Sequence, residues 1–231
     1  NEGYSASAGE NVVRGELCDE AIRLARVLTE LLPDDAEVLG LLALMLLTDA
    51  RRGGRLDDHG ELVPLEEQDR RRWDHHQVAE GMEVLERAAR LDRTGPYQLQ
   101  AAIAAVHDRA STAATTDWLA IVALYRALVR LQPTPVVRLN LAVAIAMADG
   151  PDAGLYEIDR LDGLESYHLL HAARADLLRR AGRTTEAVAA YERALAAAST
   201  APEQRFLRRR ISQLAPSPGR TGAADRPPTD R

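Results

Sequence analysis

The sequence predicts an all-α fold, an array of about ten helices stacked as hairpins. Three observations predict it. A small or apolar residue, a partner four later, another seven later and a helix end twelve later recur five times. They stand as Ala21/Ala25/Leu28/Pro33, Gly81/Leu85/Ala88/Arg93, Ile121/Tyr125/Leu128/Pro133, Gly154/Ile158/Leu161/Ser166 and Ala187/Tyr191/Ala194/Ser199. The last three copies are spaced by 33 residues, Ile121 to Gly154 to Ala187. Hydrophobic residues make up 46% of the chain but aromatic ones only 4%, so Ala and Leu must build a core of closely approaching helices.

Offsets of 0, 4 and 7 fall on one helix face because a helix turns once per 3.6 residues. The small residue lets a neighbouring helix come close, the larger ones fill the groove, and Pro or a polar residue ends the helix. Each marked segment is therefore the second helix of a hairpin. The first helices align at the same period in the last two copies, with Ala142 and Ala175 small and Ile145 and Leu178 large. Gly182 gives the turn between helices, with Thr184 or Thr185 as the next N-cap. A period of about 34 is that of the TPR hairpin, and one hairpin buries its apolar face only by stacking on others. The expectation is a TPR-like solenoid with a right-handed superhelix.

Residues 1–15 are Gly/Ser-rich and read as a junction. The array runs over 16–214 and begins with Glu16–Leu32, a second-type helix without a first-type partner upstream. That, with a start at Asn1, leads us to expect that the array or the protein begins earlier. Ala36–Arg51 follows, then an irregular insertion over 52–74 that accounts for the 60-residue gap from Ala21 to Gly81. Glu61-Leu62-Val63-Pro64-Leu65 reads as a short extended piece within it. His75–Leu91 comes next. Pro96 at a first helical position opens a helix to about His107. A loop over 108–116 precedes Asp117–Leu131, capped by Thr116 or Asp117. Val136–Ala148 with Pro151–Leu161, and Ser166–Ala181 with Glu186–Ala198, form two further hairpins. Pro202–Leu214 is a terminal helix in which Arg208-Arg209-Arg210 supply a polar outer face. Residues 215–231 have the composition of a disordered tail.

Composition removes several classes. A net charge of −6 argues against a nucleic-acid domain, which needs a basic face. No apolar run reaches the ~20 residues of a membrane span, and no signal peptide opens the chain; we expect a cytoplasmic protein. Cys18 alone forms no internal disulfide and reads as a small buried hydrophobe. All cations are arginine.

The polar clusters favour binding over catalysis. Asp74-His75-His76 are successive residues at a helix start and do not converge on one metal. His168 and His171 share a face, without a carboxylate at a matching turn, and read as packed or hydrogen-bonded. No phosphate loop or nucleophile elbow appears. We expect no enzyme, no cofactor and no metal. Gln68-Asp69-Arg70-Arg71-Arg72-Trp73 reads equally as a docking patch, since Arg and Trp anchor interfaces, and as a solvated helix start with Trp73 in the core. Trp118 reads as a core anchor closing its hairpin.

Several segments in order resemble a known family. They are NEGYSAS (Asn1–Ser7), GELCDEAIRLARVLTELLPDDAEVLGLLALMLL (Gly15–Leu47), EEQDRRRWD (Glu66–Asp74), GPYQLQAAIAAVHD (Gly95–Asp108), TDW (Thr116–Trp118), PVVRLNLAVAIAMADGP (Pro135–Pro151) and YHLLHAARADLLRRAGR (Tyr167–Arg183). Over Asn1–Leu214 the chain resembles the TPR-like C-terminal extension of bacterial extracytoplasmic-function (ECF) sigma factors. The chain departs from that pattern at Leu141, where a more polar residue is expected, and at Gly53-Gly54, expected to loosen the insertion. The resemblance implies that the complete protein directs RNA polymerase to promoters for transcription initiation, with the DNA-binding regions upstream and this part modulating sigma activity.

Four functional readings follow. The first is a regulatory protein-interaction domain, with the sigma core of the same protein, RNA polymerase or another regulatory protein as partner; the acidic balance suits basic partners. The second is a stand-alone peptide-binding scaffold, in whose groove Arg138, Asn140 and Arg174 hold an acidic peptide terminus. The third is a ligand sensor with a pocket under the insertion near Trp73 and Tyr97. An enzyme comes last. The candidate partner-binding residues are Glu2, Tyr4, Gln68, Asp69, Arg70, Trp73, Asp74, Tyr97, Gln98, Arg138, Asn140 and Arg174.

Overall fold

A computed structural model describes residues 15–214, and within them the fold is all-helical. The ten α-helices are α1 Gly15–Leu31, α2 Ala36–Asp49, α3 His75–Ala89, α4 Pro96–Arg109, α5 Trp118–Leu131, α6 Pro135–Asp149, α7 Pro151–Ile158, α8 His168–Arg180, α9 Thr184–Ala197 and α10 Ala201–Leu214. The candidate residues Glu2 and Tyr4, and the expected tail over 215–231, lie outside the described residues.

Helix starts follow local chemistry. Asp35 Oδ1 accepts from the backbone N–H groups of Glu37 and Val38 (2.9 and 3.0 Å) and so caps α2. Asp74 caps α3 through Gln77 N–H at 2.9 Å, and Asp117, not Thr116, caps α5 through Ala120 N–H at 2.9 Å. Thr134 caps α6 with Pro135 at its first position. The expected threonine cap of α9 is absent: Thr184 is already helical and Arg183 precedes it without a capping bond. Gly182 does make the turn, at φ 74°. Helix α7 stops at Ile158, three residues short of the expected end.

The helices pack on their neighbours in the chain, except that α4 packs mainly on α2, as extensively as α3 does, and α6 also touches α8. Three buried clusters result. One joins α1 to α4 around Leu39, Leu46 and Ala101. A second joins α4 to α6 around Ile121 and Leu128. The third joins α6 to α10 around Leu177, Leu178 and Tyr191. Helices α4 and α6 each give one side to one cluster and the other side to the next, so the clusters form a chain in which neighbours share a helix. The small positions serve close approach. A Cβ on Gly154 would stand 2.3 Å from Ala146 Cβ and 2.8 Å from the Ala142 carbonyl oxygen.

In α1, Cys18, Ile22, Ala25 and Thr29 are buried, while Leu24 and Leu31 are 53% and 71% exposed. Among the described residues no helix is long and apolar enough to cross a membrane.

Candidate functional site

The insertion is an ordered strap. Its neck closes where Asp74 N–H donates to the Ala50 carbonyl at 2.8 Å. Gly53 and Gly54 permit that closure: a Cβ on Gly53 would stand 2.7 Å from the Arg72 carbonyl oxygen, and one on Gly54 3.0 Å from Trp73 Nε1. These glycines allow close approach, so the expectation of looseness is corrected. Trp73 is 4% exposed, with Nε1–H donating to Gln68 Oε1 at 3.2 Å. Trp73 thus stands in the core, and Arg70–Arg72 form a 3-10 turn ahead of α3 in place of the expected helix start.

Two guanidinium groups flank Trp73. Arg70 lies 4.6 Å and Arg51 5.9 Å from the ring centroid. Arg70 Nη1 donates to the carbonyls of His107 and, at 2.8 Å, Ala110, which closes the C-terminal end of α4 with a cation, as the helix dipole favours. Arg51 Nε is 3.3 Å from Asp108 Oδ1, yet its hydrogen goes to the Leu47 carbonyl at 3.2 Å. Neither oxygen of the Asp108 carboxyl, which is out of solvent, has a hydrogen-bond donor within the protein. Burial pushes the Asp108 carboxyl up to about 6, against the pull of Arg51 and Arg70. The neighbouring His107 moves the other way: burial, then the same two arginines, push it down to about 4. His107 packs edge-to-face on Trp118 at 5.3 Å.

The tip of the strap turns at Asp57–Gly60, where Asp57 Oδ1 accepts from His59 and Glu61 N–H at 2.9 Å. Leu56 and Leu62 pair across it. The chain then runs extended through Pro64 (φ −56°, ψ 147°) into 3-10 turns at Leu65–Glu67 and Arg70–Arg72. This tip meets the other end of the array. Glu66 takes Arg180 Nη2 at 2.5 Å, Glu61 takes Arg209 Nη1 at 2.9 Å and lies 3.3 Å from Arg205 Nε, and Glu67 takes Arg210. Arg209 and Arg210 therefore turn toward the strap; of the expected outer-face triplet only Arg208 is exposed. Asp176, bonded to Arg179 and Arg180, is held below the usual carboxylate range even though its burial works the other way.

Cavities of about 390 and 480 Å³ lie on either side of Pro64. Val143, Met147, Leu177 and Trp118 wall the first; Leu169, Ala172 and Phe206 wall the second. Sizes of this order suit small molecules or side chains of a bound peptide. The first cavity does lie under the insertion, but at the His107 end of α4; neither Trp73 nor Tyr97 lines it.

The structure gathers only part of the sequence-predicted set. Gln68, Arg70 and Trp73 form the strap root; Asp69 caps the Arg70–Arg72 turn and Asp74 caps α3. Tyr97 and Gln98 stand at the start of α4, where their N–H groups donate to Glu37 (2.9 and 3.1 Å), so a carboxylate from α2 caps α4. Arg138 and Asn140 are exposed on α6 and line neither cavity. Arg174 pairs with Asp159 at the end of α7 and lines neither cavity. His171 Nε2 contacts the Glu165 carbonyl oxygen at 2.8 Å; His168 Nε2 lies 3.3 Å from Glu203 without forming a hydrogen bond, and both His168 and Glu203 line the second cavity. Among the described residues no group of three or more His, Cys, Asp or Glu is placed to hold a metal. Sequence reasoning missed Arg51, Asp108, Glu61, Glu67, Arg180 and Arg209. Their partners lie up to 148 residues away in the chain, beyond any periodicity.

An all-helical fold crossed by its own strap is what this geometry defines. Residues 1–89 match the model of a family of unknown function (DUF6596). Over 219 residues the chain is 47% identical to an uncharacterized protein of Rhizobium meliloti (strain 1021), an alignment that covers 94% of this chain and 52% of that protein. The chain thus spans about half the length of this curated relative. No solved structure gives a significant match.

Proposed function

We propose that this chain is a protein-interaction array of the TPR-like solenoid type, and that it regulates an ECF sigma factor of which it is the C-terminal part. The single observation that carries the interaction reading is the strap: Glu61, Glu66 and Glu67 sit on the arginines of α8 and α10 as a bound acidic peptide would. The sigma reading rests on the ordered segments from Asn1 to Arg183. It is also consistent with the relative that extends to about twice the aligned length. The partners are then the sigma core of the same protein or RNA polymerase, in the cytoplasm, and the array binds without catalysing a reaction.

The experiment is promoter-directed transcription in vitro, comparing the complete protein with one cut just before Asn1. A changed output supports a regulatory array: a loss makes it a positive element, a gain makes it an inhibitor. An unchanged output refutes the sigma reading and leaves a stand-alone peptide-binding scaffold.

A further inference from the structure

We infer that the face of α8 and α10 beneath the strap is a binding site for an extended acidic segment of a partner protein. Residues 61–67 of the strap fill that site as an internal stand-in. The inference rests on the reading of the chain as an interaction array and names the chemistry of its partner.

The strap segment has the character of a docking peptide. Glu61 and the Glu66-Glu67 pair bracket an apolar Leu62-Val63-Pro64-Leu65 stretch, and Pro64 holds polyproline-type backbone angles. Such a segment loses little entropy on docking because its extended form is already preferred. The receiving face reads backbone as well as charge. Arg209 gives one nitrogen to the Glu61 carboxylate at 2.9 Å and another to the Leu62 carbonyl at 3.3 Å. Arg205 reaches the carbonyl of Gly60, at the end of the tip turn, at 3.4 Å, so two backbone carbonyls of the segment, Gly60 and Leu62, face the arginines of α10. Fork-shaped guanidinium groups suit this double task better than lysine.

The fit is incomplete in a way a partner can improve. The two cavities flank Pro64 with apolar walls, so Leu62 and Leu65 leave room that larger apolar side chains would take. Arg210 Nε is buried without a hydrogen-bond partner, a spare donor for one more carbonyl or carboxylate. The strap is also held unevenly. Its root is fixed by buried Trp73, by Arg70 and by the Asp74–Ala50 backbone bond. Its tip is held by partly exposed ion pairs, which are individually weak and screened by salt. The tip can therefore yield its place while the root stays. Because a filled site lowers apparent affinity by the fraction of molecules that are open, the strap sets the threshold for the partner.

The test uses the full chain and a fluorescent peptide with the sequence of Gly60–Gln68, plus a second peptide carrying Phe in place of Leu62 and Leu65. Binding is read by anisotropy against wild type and against the strap variant Glu61→Lys/Glu66→Lys/Glu67→Lys. The expected result is at least about tenfold tighter binding to the variant, tighter binding of the Phe peptide, and loss of both when Arg209→Ala/Arg210→Ala is added. Equal binding to wild type and variant, or binding that survives loss of the two arginines, overturns the inference. Should the strap variant not fold, hydrogen exchange on wild type decides. Saturating Phe peptide must raise exchange across 55–67 and not across α9, and unchanged exchange overturns the proposal. If peptide binding fails while the array still changes transcription, only this site is removed and the regulatory reading stands.

Discussion

Replacing Asp108 with Asn should change how stability depends on pH, in a direction opposite to ordinary acid denaturation. The carboxyl sits out of solvent without a hydrogen-bond donor, and burial raises it from an ordinary value of 3.8 to about 6. Between those values the unfolded chain has released this proton while the folded chain keeps it. Folding then binds a proton, so stability falls as pH rises. A difference of about two pKa units corresponds to about 3 kcal/mol, complete above pH 6. His107 works against this. Its imidazole drops from 6.5 to about 4, so the unfolded chain gains a proton over that range and the folded chain does not. That adds stability of similar size as pH rises. The two adjacent residues therefore nearly cancel between pH 4 and 6.

The Asn variant keeps the side-chain shape and removes only the Asp108 half. Urea titrations followed by circular dichroism at pH 4, 5, 6 and 7 give the stability of each protein. The stability of wild type minus that of Asp108→Asn should fall by about 3 kcal/mol across the range. The variant itself should show the steep His107 dependence that wild type hides. A difference constant within about 0.5 kcal/mol would refute the dehydrated carboxyl and place Asp108 in contact with solvent or a donor.

Two further outcomes test the packing. Tyr191, 2% exposed with its hydroxyl near Arg179, should cost about 3–5 kcal/mol when cut to Ala; a loss below about 0.5 kcal/mol in chemical denaturation would mean the wrong face of α9 is inside. Gly154→Val should cost about 2 kcal/mol or more, because even a Cβ there meets Ala146 and the Ala142 carbonyl. A thermal midpoint equal to that of wild type would show that α6 and α7 are not in such close contact.

Much of the helical framework is legible in the sequence because its causes are local. The 0, 4, 7 pattern marks mostly buried faces, with Ala25, Ala88, Leu128, Ile158 and Tyr191 inside, but it fails at Leu28 of the first copy, which is 36% exposed. The cap at Asp117 is readable because an Asp before a helix has an N–H within its own reach. The α4 cap is not readable, since Gly95 offers no side chain and the carboxylate comes from Glu37, about 60 residues earlier. Polar character misleads for the same reason. Arg209 and Arg210 look like the wet face of a terminal helix until Glu61 and Glu67 are placed opposite them.

The site is less legible than the fold because it is made where the array meets itself. Helix periodicity and capping are short-range rules, and they say nothing about one end of the chain reaching the other. The strap adds that contact: its root packs on α4 through Arg70, and its tip on α8 and α10 through three glutamates. The energies divide in the same way. The root buries Trp73 and closes on backbone, and its loss would expose a large apolar surface. The tip depends on partly exposed ion pairs, each worth roughly 0.2–1 kcal/mol. An element fixed firmly at one end and lightly at the other is suited to exchange at the light end. A partner that supplies carboxylates on an extended backbone need only outcompete those few pairs, and the helices behind them keep their cores.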